Sequence, residues 1–140
     1  MKVCQWNQDY SVGITSLDNH HKKLFDILNK LFSLMDEGAD DELILKVIDE
    51  LLDYTHYHFE KEEKIMAKIA YPDLEQHKVL HKELIDQLNG FASEAEHGMA
   101  IFVAIKIATV GLEWLKNHIL TVDHKYHEYM KKNGIDDQFS

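Results

Sequence analysis

The chain has 140 residues and a formal net charge of −10, which argues against nucleic acid and anionic membranes as partners. An apolar fraction of 45% in regular periodicity excludes a disordered chain, and the length suits one domain, residues 1–140. No run of about 18 apolar residues spans a membrane, Met1–Tyr10 lacks a signal-peptide core, and Cys4 stands alone, which together suit a cytoplasmic protein without an internal disulfide.

Residues 1–16 read as an irregular arm, with Trp6, Tyr10, Val12 and Ile14 available to lie against a core. Ser16 or Asp18 can cap the first helix, in which Leu17, His21, Leu24, Leu28, Leu31 and Met35 recur at spacings of four and three. Gly38 suits the position just past its end. The second helix runs from about Asp41 to Ile69, with a seam of Ile44, Ile48, Leu51, Thr55, His58, Glu62, Ile65 and Ile69.

Tyr71-Pro72-Asp73 breaks that helix and opens a third, whose seam is Leu74, His77, His81, Leu84, Leu88, Phe91 and Ala95. After a turn at His97-Gly98, a fourth helix starts near Met99 with Ile101, Ile105, Ala108, Leu112 and Leu115 inward. It continues past His118 to a stop at Asn133-Gly134. The pattern predicts an all-α, up-down-up-down four-helix bundle over residues 17–132, with the N-terminal arm before it and a tail, 133–140, after it.

The ten histidines separate by helix face. His21, His58, His77 and His81 fall on core seams, and His118 follows Leu115 by three and also points inward. His20, His56, His97, His124 and His127 fall off those faces or in a turn. Any one inward histidine has an ordinary explanation as a hydrogen-bonded core residue, and His58 with Glu62 at i,i+4 can be a buried ion pair. Five histidines from four helices converging beside Glu62 need a stronger compensation, and a buried metal supplies it.

Asp123 is the remaining candidate. It lies five residues after His118, about 140° round an ideal helix, so the two share a site only where the helix is distorted, as in a π-type turn. Five imidazoles and two carboxylates exceed the ligands of one six-coordinate transition metal, and five nitrogens do not suit calcium or magnesium. Two ions bridged by both carboxylates accommodate all seven.

Taken in order, the stretches resemble the hemerythrin family, in particular its single-domain bacterial members, over nearly the whole chain. Trp6 and Tyr10-Ser11-Val12-Gly13-Ile14 resemble its arm, and Asp18-Asn19-His20-His21-Lys22-Lys23-Leu24 its first ligand motif, where Lys22 favours His21 over His20. His58-Phe59-Glu60-Lys61-Glu62-Glu63 resembles the second motif, and Tyr71-Pro72 with His77-Lys78-Val79-Leu80-His81 the third. Trp114 through Asp123, with the five-residue step from His118, resembles the last.

The resemblance implies a non-haem di-iron site. One iron would be held by His77, His81 and His118 and the other by His21 and His58, with Glu62, Asp123 and an oxo or hydroxo group bridging them. Leu24, Phe59, Trp114 and Leu115 match positions lining the family's oxygen pocket. The implied function is reversible dioxygen binding, without enzymatic turnover, for transport, storage or delivery, with an oxygen-accepting or signalling protein as an unidentified further partner. A sensor of oxygen, redox state or nitric oxide, a di-iron enzyme acting on peroxide, and a metal-free helical interaction module are the alternatives.

Overall fold

In the computed structural model, which describes residues 5–139, the apolar seams become four long helices: α1 (Thr15–Asp36), α2 (Asp41–Lys68), α3 (Leu74–Glu96) and α4 (Ala100–Asn117). A 3₁₀ turn, Gln8–Tyr10, precedes them, and a π-helical segment, His118–Asp123, joins α4 to α5 (His124–Lys132). Cys4 lies outside the described residues.

Short connections force each helix to pack against its successor, and α1 closes the ring against α4, giving the expected up-down-up-down bundle. In this topology the start of α1, the end of α2, the start of α3 and the end of α4 share one end of the bundle. The inward histidines lie on those four stretches. The α2 seam is buried throughout, from Ile44 through His58 and Glu62 to Ile69.

Helix ends follow local chemistry. Asp40 opens α2 by accepting the Leu43 N–H at 3.0 Å. α1 stops at Gly38, whose φ of 69° lets its N–H reach the Met35 carbonyl and the Ala39 N–H the Leu34 carbonyl.

Two expectations are corrected. Neither Ser16 nor Asp18 caps α1, which begins at Thr15 with Ile14 at the cap position and no side-chain cap. Asp18 instead turns back onto the arm, accepting from Ser11 Oγ at 2.6 Å and from the Val12 N–H at 2.8 Å, because the arm brings those donors over the first turn. The inner face of α4 is Ala100, Val103, Ala104, Ile107, Ala108, Gly111 and Leu115, whereas Ile105 is exposed and Ile101 and Leu112 are half-buried. Lys106, Thr109, Glu113 and Lys116 mark a narrow polar stripe, but apolar residues fill the rest of the helix, so hydrophobic period alone does not select its packed face. The small Ala and Gly side chains allow close packing there.

The arm is fixed from two sides. Val12 and Ile14 are fully buried, and the His124 Nε2–H donates to the Ser11 carbonyl at 2.9 Å. Gly13 sits on the His127 ring with φ +76°, so a Cβ there would come within 2.2 Å of Nδ1. Gly13→Ala is therefore expected to destabilise the protein by about 1–3 kcal/mol through a strained φ and a displaced His127. An unchanged urea midpoint would contradict this account of the arm.

Candidate metal centre

Seven side chains meet at the shared end of the bundle. His21 comes from α1, His58 and Glu62 from α2, His77 and His81 from α3, and His118 and Asp123 from the two ends of the π-helical segment; all are buried. The π turn resolves the five-residue step. Its wider coil brings Asp123 back to the face of His118, with Oδ1 3.0 Å from the His118 Nε2.

The donors divide into two groups. In the first, His118 Nε2 is 3.0 Å from His77 Nε2 and 3.2 Å from His81 Nε2. Glu62 Oε1 lies 3.1 and 3.0 Å from His77 and His81, and Asp123 Oδ1 lies 3.1 Å from His77. In the second group, His21 and His58 place their Nε2 atoms 3.0 Å apart. Glu62 Oε2 faces these two at 3.7 and 3.5 Å, and Asp123 Oδ2 is 3.4 Å from His21. Each carboxylate thus turns one oxygen to each group. Glu62 belongs closely to both, whereas Asp123 reaches the second group through His21.

Hydrogen bonding does not account for this packing. A neutral imidazole has one N–H and one lone pair, yet His118 Nε2 meets two other ring nitrogens and a carboxylate oxygen. Glu62 Oε1 and both Asp123 oxygens are buried without a hydrogen bond. A cation at the focus of each group satisfies them all. The separations in the first group, 3.0–3.2 Å, also match the edge of an octahedron with bonds of about 2.1 Å. The residues fit a pair of metal ions held by nitrogen and bridging carboxylate.

Electrostatics agree. Burial raises the Glu62 pKa, but the imidazoles of His58, His21 and His77 outweigh it and hold the carboxyl well below its usual range. Burial and the Glu62 charge raise that of Asp123, and contacts with His118 and His77 overcome them and depress it. Burial lowers His77, yet the Asp123 and Glu62 contacts lift it to about 9, and Glu62 with Glu63 similarly raises His81. His58 is lowered, chiefly by burial.

Three participants escaped the sequence pattern. Tyr126, fully buried on α5, donates its O–H to Glu62 Oε2 at 3.0 Å. Its position three residues past Asp123 is the signal that could have found it. Glu63 Oε2 accepts the His81 Nδ1–H at 2.8 Å. His20, expected off the core face, is only 9% exposed, with Nδ1 3.0 Å from His58 Nδ1. Tyr54 and Tyr57 of α2 cover its outer side, and burial followed by His58, His21 and Lys61 lowers its pKa to about 4. His56 and His97 are exposed, and His124 and His127 lie half-buried beside the arm, as their faces predict.

Leu24, Phe59, Trp114 and Leu115 lie together. They line an apolar cavity of about 20 Å³ that Leu28, Leu51, Thr55, Leu84, Leu88 and Gly111 complete, with room for one water-sized molecule. Phe59 stacks on His81 at 3.7 Å and Trp114 on His118 at 4.1 Å.

This fold and this donor set are those of a helical cation-binding domain, and a model of the hemerythrin HHE cation binding domain matches residues 12–130. The chain belongs to the hemerythrin family. It is 34% identical over 125 residues to a bacteriohemerythrin of Clostridium acetobutylicum, covering 86% of this chain and 96% of that one. It is 33% identical over 122 residues to a myohemerythrin of Theromyzon tessulatum, covering 87% and 89%. A crystal structure of wild-type hemerythrin, 29% identical, superposes with a TM-score of 0.79 over 90% of this chain and 96% of that one.

Without metal, the raised pKa of His77 stabilises the fold fully below pH 6.5, and that contribution is lost as pH rises through about 9; the raised His81 acts in the same direction. The depressed His20 and His58 titrate below this window. Metal-free protein is therefore expected to lose stability between pH 6.5 and 9, with a shallower slope in His77→Gln. Urea midpoints across that range check it, and a flat wild-type profile would contradict it.

Proposed function

We propose that the protein binds dioxygen reversibly at a di-iron centre, for oxygen transport, storage or delivery. The observation that carries this reading is the three-plus-two division of buried imidazoles with carboxylate oxygens turned to both groups. His77, His81 and His118 would hold one iron and His21 and His58 the other, with Glu62 and Asp123 offering an oxygen to each. The chemistry that such an iron pair would supply is the reversible two-electron reduction of dioxygen.

The chain's own contribution is position and dryness. The stacked rings of Phe59 and Trp114 hold His81 and His118 in their planes. The two-nitrogen half has one fewer imidazole, which leaves room there for an exogenous ligand. Leu24, Phe59, Trp114 and Leu115 keep the neighbouring cavity apolar, so a water molecule there would find few hydrogen-bond partners.

The cavity favours binding over turnover. No titratable side chain lines it, and Thr55 Oγ1 is committed to the Leu51 carbonyl at 2.7 Å. An enzyme cleaving dioxygen or peroxide needs a proton donor at the reacting oxygen, and this lining offers none. No helix of the described residues is long and apolar enough to cross a membrane. We take residues 1–140 as one domain and place it in the cytoplasm.

Iron content and absorption spectra under air and nitrogen test the function. Wild-type protein should hold about two irons per chain and switch spectra reversibly between the gases. His77→Ala and Glu62→Ala should lose at least about half of the iron, while His56→Ala and His97→Ala retain it. Equal iron in all four variants, or irreversible oxidation at the first exposure to air, would contradict the proposal.

A further inference from the structure

The two halves of the centre are backed by partners of unlike charge. On the three-nitrogen side, His81 gives its Nδ1–H to the carboxylate of Glu63 at 2.8 Å. His21 Nδ1 on the two-nitrogen side is buried with no partner, as is His77 Nδ1 on the other, so the contrast lies between the outer partners of His81 and His58. For His58 that partner is His20, through the 3.0 Å contact between their Nδ1 atoms.

The tautomers follow from this geometry. His58 turns Nε2 towards His21 and Glu62, so with Nε2 committed to a metal its ring proton sits on Nδ1. His20 Nδ1 must accept that proton's hydrogen bond, which requires a neutral ring with its own hydrogen on Nε2. The ring has little freedom to turn away. It sits edge-on to Tyr54 at 5.8 Å, against Tyr57 at 5.2 Å and edge-on to His58 at 5.2 Å.

Outer partners of this kind fix a ligand's ring plane and raise its basicity, and an anionic acceptor does so more strongly than a neutral one. We infer that His20 is a positioning residue for the metal centre: it holds the ring of His58, and its neutral imidazole leaves the two-nitrogen half the more easily emptied of the two. The asymmetry goes beyond ligand count, because a single outer substitution should change the release of one ion and not the other. His20 never touches the metal. It acts through His58.

The inference rests on the two-ion reading above. The test loads the full chain with iron(II) under nitrogen, challenges it with bipyridine, and follows release by absorbance. Wild-type protein should release one ion quickly and one slowly. His20→Leu should speed the fast phase by about tenfold or more and leave the slow phase unchanged. His20→Gln, whose amide oxygen can accept the same hydrogen bond, should stay near wild type, and His20→Glu should be slower than His20→Gln.

A second readout is the exchangeable Nδ1–H proton of His58 in cobalt(II)-loaded protein, shifted by the paramagnetic ion. It should be present in wild type and His20→Gln and lost to solvent exchange in His20→Leu. Unchanged release in His20→Leu, equal acceleration of both phases, or release from His20→Glu no slower than from His20→Gln would overturn the inference. The last comparison decides the matter if His20→Leu does not fold. A wild-type chain that never takes up a second ion would instead overturn the two-ion reading itself.

Discussion

Taking a carboxylate out of water costs several kcal/mol unless opposite charge meets it, and Glu62 and Asp123 are both fully buried. Their neighbours are five imidazoles whose Nε2 atoms crowd the same space, some within 3.0 Å of one another. Protonating some rings settles part of the charge, as the raised His77 and His81 indicate, but leaves carboxylate oxygens without hydrogen bonds. A pair of cations removes the conflict at once. The polar end of the bundle is built to be finished by metal, and its geometry depends on that constraint.

The bundle brings the seven candidate ligands together through topology rather than through long loops. Up-down connections put the start of α1, the end of α2, the start of α3 and the end of α4 side by side, so each helix contributes without bending. The exception is the end of α4, where an ideal helix would turn Asp123 away from His118. The π-helical segment restores the alignment at the expense of regular backbone hydrogen bonding, a term worth only about 1 kcal/mol per bond. It also sets the direction of α5, and with it the approach of Tyr126 to Glu62.

Much of this was legible in the sequence because most candidate ligands occupy positions a core residue would otherwise fill. His58 and Glu62 continue the rhythm of Ile44, Ile48 and Leu51, so their burial could be read from spacing. Even the irregular turn was readable, since Asp123 could join His118 only through one. What escaped depends on more than one helix. His20 is off the seam of α1, and its burial comes from Tyr54 and Tyr57 on α2, which a single-helix pattern does not register. The packed face of α4 was misread because Ile101, Ile105 and Leu112 compete with Val103, Ile107 and the small residues for the core. Asp18 has the composition of a helix cap, but the arm returns to claim it. Family resemblance, not spacing, supplied iron and dioxygen.

Diffraction from crystals of the iron-loaded protein, collected on both sides of the iron absorption edge, bears most directly on the central claim. The account predicts two anomalous peaks in the buried cluster, one at the focus of His77, His81 and His118 and one beside His21 and His58, with Glu62 and Asp123 spanning both. A single peak, or iron only at surface histidines, would contradict it.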